Sequence, residues 1–189
     1  MIPKFNADIR REIDWDKLEW PPEEILAEED GLLANNNYFD YRGWFDWKTF
    51  ARAYHLESKI ISRVDRQSRS RKSFEDKLLE WENLDRLQNT DLGDFDIGVS
   101  SSTIAIYALG AISVSSCRGK GSWRRGDHPY IALWAKRPEA ETILAVAEGL
   151  GIGCVSCGFY DREDGILVYS KDTLDMMKFG KALYDRRDK

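Results

Sequence analysis

Apolar residues recur at two different periods along this chain, and the change of grammar falls near Asp96. Residues 1–20 show no sustained period and read as an extended arm with Trp15 and Trp20 as anchors. Pro21-Pro22 ahead of Glu23-Glu24-Ile25-Leu26 opens a helix, because proline suits a first turn and carboxylates suit its positive end. An Asn run sets its expected stop near Ala34-Asn35. After a loop over Asn36–Trp44, Asp46 is placed to cap a helix in which Trp47, Phe50, Ala51 and Tyr54 share a face, and Ile60, Ile61 and Val64 continue it. Residues 65–72 are too polar for a core. They form either an exposed helix or the loop before a helix over Ser73–Leu84, striped by Phe74, Leu78, Trp81 and Leu84. Residues 85–95 read as a polar, Asp-rich linker.

Beyond Asp96 short apolar runs alternate with helical patterns. Ile97–Leu109 is a helix closed by Gly110, Ala111–Ser115 a buried strand, and Pro129–Ala135 the strongest strand of the chain. Pro138–Leu150 is an amphipathic helix with Ile143, Leu144, Val146, Ala147 and Leu150 inward and Gly151 closing it. Cys154–Tyr160 and Ile166–Tyr169 form a hairpin, and Asp172 or Thr173 caps a last helix through Leu183. The expected fold is α+β. A helical extension (residues 1–95) precedes an α-β-β-α-β-β-α module (residues 96–189) with a small sheet covered by helices, together one compact unit.

Seven Trp, eight Tyr and eight Phe in 189 residues supply ample area for such a core. The longest apolar run, Ile104–Val114, is too short to span a bilayer, so no membrane is expected. Three cysteines make no disulfide framework, which points to the cytoplasm. A net charge of −5 argues against an all-over nucleic-acid coat. The charge is uneven, however: the first 50 residues are acidic, whereas Arg63, Arg66, Arg69, Arg71 and Lys72 form one basic cluster and Arg118, Lys120, Arg124 and Arg125 another. Such clusters suit a phosphate-bearing ligand, and they equally suit pairing with the acidic N-terminus.

The candidate site is the turn Ser115-Ser116-Cys117-Arg118-Gly119-Lys120. Glycines at 119 and 121 permit positive φ, so that successive amides could form a nest for an anion. Ser115 and Ser116 add hydroxyls, Arg118 and Lys120 add charge, and Cys117 packs or sits close to the ligand. Phosphate, carboxylate or RNA is the expected class of ligand. The glycine spacing is not that of a Walker loop.

The series SSCRGKG, HPYIALWAKR, ETILAVAEGLGIG and GILVYS, over about Ala111–Ser170, resembles the tRNA wybutosine-synthesis methyltransferase family, in which a strand runs into a Ser-Ser-Cys-Ser-Gly-Arg turn. On that resemblance Ser115, Ser116, Cys117 and Gly119 match the family turn, with Lys120 as its basic residue. S-adenosylmethionine and a tRNA base are the implied ligands. Arg118 stands where the family has serine, and residues 152–157 lack its Arg-Asn-Ser-Gly-Ile segment. The outline also resembles small bacterial proteins with a Ser-Cys-x-Gly turn, which imply no activity.

Other constellations are open to the sequence. Cys117, His128, Cys154 and Cys157 would make a zinc set, although residues 154 and 157 on one strand point to opposite faces. Cys117 with His128 could form a nucleophile–base pair, and Asp91, Asp94 and Asp96 could converge on a metal, or Asp96 could simply cap the helix that follows. A rival to ligand binding is a non-enzymatic interaction protein, such as an accessory or immunity subunit, whose acidic segment 8–30 docks on a basic partner. On that reading the arm separates cleanly from the ligand site.

Overall fold

Among the described residues the chain folds as a five-stranded mixed sheet with six helices, an α+β architecture. The structure, a computed structural model, describes residues 2–27, 31–32, 38–88, 91–119, 128–159 and 162–187. In chain order the elements are β1 (Arg11–Glu12), α1 (Glu23–Leu26), α2 (Trp47–Gln67), α3 (Arg71–Gln88), α4 (Ser100–Leu109), β2 (Ile112–Cys117), β3 (Tyr130–Trp134), α5 (Arg137–Leu150), β4 (Gly153–Phe159), β5 (Arg162–Tyr169) and α6 (Thr173–Arg186). The sheet order is β1-β4-β5-β3-β2, antiparallel except where β1 runs parallel to β4.

Strand register sorts the side chains onto two faces. Ile131 and Leu133 of β3, Ile166 and Val168 of β5 and Cys154 of β4 share one face, every one of them fully buried. The helical layer of α4, α5 and α6 closes that face, with α4 against β2 and α5 against β4. The opposite face carries Tyr130, Val155, Leu167 and Tyr169, and there Val155 and Leu167 are only half-buried.

Helix α4 is the axis of the fold. It packs on α2, α6 and β2, and each residue from Ser100 to Tyr107 is buried, so it has no polar stripe. Its hydroxyls must therefore find partners inside the protein. Ser100 Oγ donates to Leu92 O (2.6 Å), Ser102 Oγ to Met176 O, and Thr103 Oγ1 to Val99 O (2.9 Å). Gly180 of α6 lies against Ser102, where a Cβ would come within 2.9 Å of the Ser102 Cα. The missing side chain lets the two helices approach closely.

The start of α4 has no side-chain cap of its own. A distant carboxylate fills that role. Glu57, on the buried face of α2 and 0% exposed, accepts from the amides of Gly98 (2.7 Å), Ser100 (3.0 Å) and Ser101 (3.1 Å) and from the Ser101 hydroxyl. Burial pushes its carboxyl above the ordinary range, and the hydrogen bonds pull it back. Asp96, the residue expected to cap this helix, contributes its backbone carbonyl to Val99 and Ser100 while its carboxylate turns elsewhere.

Several sequence expectations are corrected. Helix α1 closes at Ala27, well before Ala34-Asn35, which lie outside the described residues. Helix α3 begins at Arg71, not at Ser73. Its buried row runs Phe74, Leu78 and Glu82, leaving Leu84 46% exposed, because the row at i, i+4, i+8 meets Arg118. The supposed linker is not solvated, since Leu92 and Phe95 are both buried core residues. In α5 the inward set is Ala140, Ile143, Val146 and Ala147, with Leu150 36% exposed at the last turn. Strand β2 extends to Cys117, so Ser115, Ser116 and Cys117 are strand residues. Asp46 and Asp172 do cap α2 and α6, accepting from the amides of Thr49 (2.7 Å) and Asp175 (2.9 Å), and Gly110 and Gly151 do close α4 and α5 in the left-handed region.

Replacing Glu57 by Gln puts an amide NH2 among donors. It is expected to cost about 2–4 kcal/mol of unfolding free energy, read by urea denaturation followed by tryptophan fluorescence. An unchanged midpoint would mean that α4 does not depend on this cap.

Candidate functional site

The arm is part of the sheet. Its Arg10 carbonyl accepts from Cys154 N (2.9 Å), and Arg11 Nε donates to Ile152 O (2.9 Å). The Asp14 amide donates to Ser156 Oγ (2.7 Å). Tyr169 ties the arm down from the middle of the molecule. Its hydroxyl donates to Asp8 O (2.7 Å) and accepts from Arg10 N (2.9 Å). Its ring lies over Gly153, where any Cβ would collide with it. Only glycine at 153 lets Tyr169 lie flat and reach the arm.

Between the arm and the half-buried sheet face lies an open cavity of about 550 Å³. The arm residues Lys4–Asp8 and Arg10 form one wall, Arg71 at the start of α3 another, and Val155, Leu167, Tyr169 and His128 the sheet side. Among the described lining residues Lys4, Arg10 and Arg71 are the cations and Asp8 the carboxylate, 4.0 Å from Arg10, so the local balance is positive. Two planar pairs border the same space. The Arg71 guanidinium lies over the Phe5 ring, 4.6 Å from its centroid, and the His128 ring sits 5.0 Å from that of Tyr169. Arg71 also pairs with Glu75 (2.7 Å) along its own helix.

The Ser115–Lys120 turn divides between two surroundings. Ser115 and Cys117 are half-buried on the sheet face that carries Tyr130, and Ser115 Oγ lies 3.2 Å from the Tyr130 hydroxyl. Ser116 alternates to the other side, where its amide donates to the Tyr38 hydroxyl (2.6 Å) and its Oγ lies 2.7 Å from the same oxygen. Burial raises the Tyr38 phenol well above its ordinary range, so it stays protonated. Gly119 adopts φ 93° as the turn requires, and its amide donates to Cys117 Sγ (3.4 Å). Lys120 and Gly121 lie outside the described residues.

Arg118 is turned inward. It is 3% exposed and forms an ion pair with Glu82, itself 4% exposed, whose Oε1 also accepts from Ile97 N (2.9 Å). The Arg118 amide donates to the Asp96 carboxylate (3.3 Å). Burial draws the guanidinium down to about 10, with the charge of Glu75 opposing. The anion held at this residue is therefore the protein's own. Glu82 takes the side chain and Asp96 takes the backbone.

The metal-binding sets do not assemble among the described residues. Among the described residues no group of three or more His, Cys, Asp or Glu could hold a metal ion. Cys154 is buried on the helix-covered face with its thiol pushed up to about 12, whereas Cys157 lies half-buried in a small hollow with Asp14, Lys17, Ser156 and Gly158. Asp91 pairs with Arg52 (3.0 Å), and Asp96 faces Arg118. The acidic arm is likewise committed within the fold. Trp15 lies under Arg137 (5.1 Å), and Trp20 is approached by Arg42 (4.8 Å) and Lys136 (5.0 Å). An arm that forms a strand and one wall of the cavity cannot be removed without opening both.

No family model, curated protein or solved structure matches the chain. Among the described residues no helix is long and apolar enough to cross a membrane. Of the cavity residues, sequence reasoning had marked His128 as a candidate ligand and Arg71 as part of a basic cluster. The signal for the others was the Tyr169–Gly153 pairing, which needs strand register to be seen.

Replacing Arg118 by Ala strands a buried carboxylate at Glu82 and is expected to destabilise the fold by about 3–5 kcal/mol. Pairing it with Glu82→Gln should recover part of that loss. Chemical denaturation of the single and double variants checks this, and a neutral Arg118→Ala would show that the pair is not a buried one.

Proposed function

We propose that this protein is a ligand-binding module that takes a phosphate- or carboxylate-bearing ligand in the cavity between its N-terminal arm and the open sheet face. The observation that carries this reading is the cavity's composition. Three cations from two separate chain segments, Lys4 and Arg10 on the arm and Arg71 on α3, line a hollow whose walls also include Phe5, Val155, Leu167, Tyr169 and the polar Asn6, Asp8 and His128. Such a mixture of apolar wall and a few placed charges is what small-ligand sites use: burial supplies affinity and the charges fix orientation. A volume of about 550 Å³ is of the size that admits a ligand as large as a nucleotide.

In this reading the Ser115–Gly119 turn acts as a support. Arg118, anchored by Glu82 and Asp96, fixes the end of β2, and β2 holds β3 in the register that places Tyr130 opposite Tyr169. Ser115 and Cys117 share the sheet face that carries Tyr130 but do not line the cavity. The Arg118 guanidinium is 3% exposed and paired with Glu82, so it does not reach the surface where the carboxylate of S-adenosylmethionine would approach. No chemical step is assigned to that compound.

Isothermal titration with uridine and adenosine monophosphates, pyrophosphate and S-adenosylmethionine tests the reading. At least one phosphate-bearing compound is expected to bind. The double substitution Lys4→Ala/Arg71→Ala should then weaken it by about tenfold or more, two lost charge contacts at roughly 1 kcal/mol each, with an unchanged unfolding midpoint. Binding that is absent, or indifferent to those two residues, would refute the cavity as the site.

A further inference from the structure

The basic cluster of residues 63–72 was left without a role by the cavity itself, yet it ends at the cavity's edge. It carries five cations, Arg63, Arg66, Arg69, Arg71 and Lys72, against the single acid Asp65. All five are exposed and lie on the last turns of α2, the connection at 68–70 and the first turn of α3. Among the described residues no ion pair joins them to the acidic N-terminal segment, and Arg71 pairs with Glu75 of its own helix (2.7 Å). Arg63 lies over the Trp81 ring (5.6 Å), Arg66 Nε donates to the carbonyl of Ser62 (3.2 Å), and Arg71 reaches Phe5 and the cavity. Within a chain of net charge −5, this corner is a local reversal of sign, and its Arg71 lines the cavity described above.

Resting on the cavity as a ligand site, we infer that the ligand is a segment of single-stranded nucleic acid, with one base in the cavity and its flanking phosphates along the α2–α3 corner. Two independent features point to this class. The first is planar chemistry inside the cavity. Tyr169 and Phe5 are themselves buried, but the half-buried His128 ring beside Tyr169 and the exposed Arg71 guanidinium over Phe5 each present a flat surface on which a heteroaromatic ring can stack, a contact that tolerates any base. The second is the string of cations outside it. Phosphates in a strand recur at intervals of a few ångströms, and a run of exposed cations whose member Arg71 lines the cavity suits that repeat better than it suits a single small anion. A duplex keeps its bases stacked within the helix and could not place one in the hollow without unpairing it.

The experiment compares fluorescein-labelled oligouridine and oligothymidine of about eight nucleotides with the corresponding mononucleotides, by anisotropy and by competition, on the full-length protein. Two variants are used. The corner variant is Arg66→Ala/Arg69→Ala/Lys72→Ala, and the cavity variant is Lys4→Ala/Arg71→Ala. At least one oligomer is expected to bind about tenfold or more tighter than its mononucleotide and to weaken as salt rises, in proportion to the phosphates neutralised. The corner variant should lose that advantage while retaining mononucleotide affinity. Oligomers that bind no tighter than mononucleotides, or a corner variant that leaves oligomer affinity unchanged, would overturn the nucleic-acid inference and leave the cavity reading standing. Mononucleotide affinity that is indifferent to the cavity variant would instead overturn the cavity reading. Circular dichroism and unfolding midpoints of both variants separate loss of binding from loss of fold.

Discussion

One buried carboxylate holds the two halves of the chain in a single structure. Glu57 belongs to α2, and the amides it caps open α4, the central helix of the α+β part. The first amides of any helix lack intrahelical partners, and α4 is buried where no water can reach them. Without Glu57 the helix would begin with unsatisfied donors in an apolar interior. With it, α2 cannot shift relative to α4 without giving up several hydrogen bonds at once. The neighbouring hydroxyls repeat the same logic outward, Ser100 binding the 92–95 turn and Ser102 binding α6.

From this fixed centre the order of construction runs to the cavity. Helix α4 leads through Gly110 into β2, and β2 sets the register of β3 and then β5. That register places Tyr169 opposite Gly153, where its hydroxyl captures the arm. The arm completes a wall that no other element supplies. Helix α3 is tied to the same frame by the Glu82–Arg118 pair, so Arg71 at its first turn is carried to the cavity mouth by packing at its far end. The cavity is thus assembled from segments that are distant in sequence and joined through buried polar contacts.

That construction explains what could be read in the sequence. The α-β-β-α-β-β-α order was legible because its strands are short apolar runs and its helices close at Gly110 and Gly151. The caps at Asp46 and Asp172 were legible for the same local reason. Glu57 and Glu82 were not, because a carboxylate on a helix looks solvated until its partner, some 40 residues away for Glu57, is known. Arg118 misled in the opposite direction. In sequence it resembled a ligand grip, whereas its charge is held by Glu82 inside the fold. The arm carried no period since it is a two-residue strand and a series of anchors, and its pairing depends on β4.

The account places ligand contact at the arm and open sheet face, with the turn after β2 as a buttress. Amide-resolved NMR of the labelled protein titrated with uridine monophosphate tests that division most directly. The account predicts shifts confined to residues 4–10, His128, Val155, Leu167 and Tyr169, with Arg71 joining them. Shifts concentrated at residues 115–119, or no shifts at all, would contradict it.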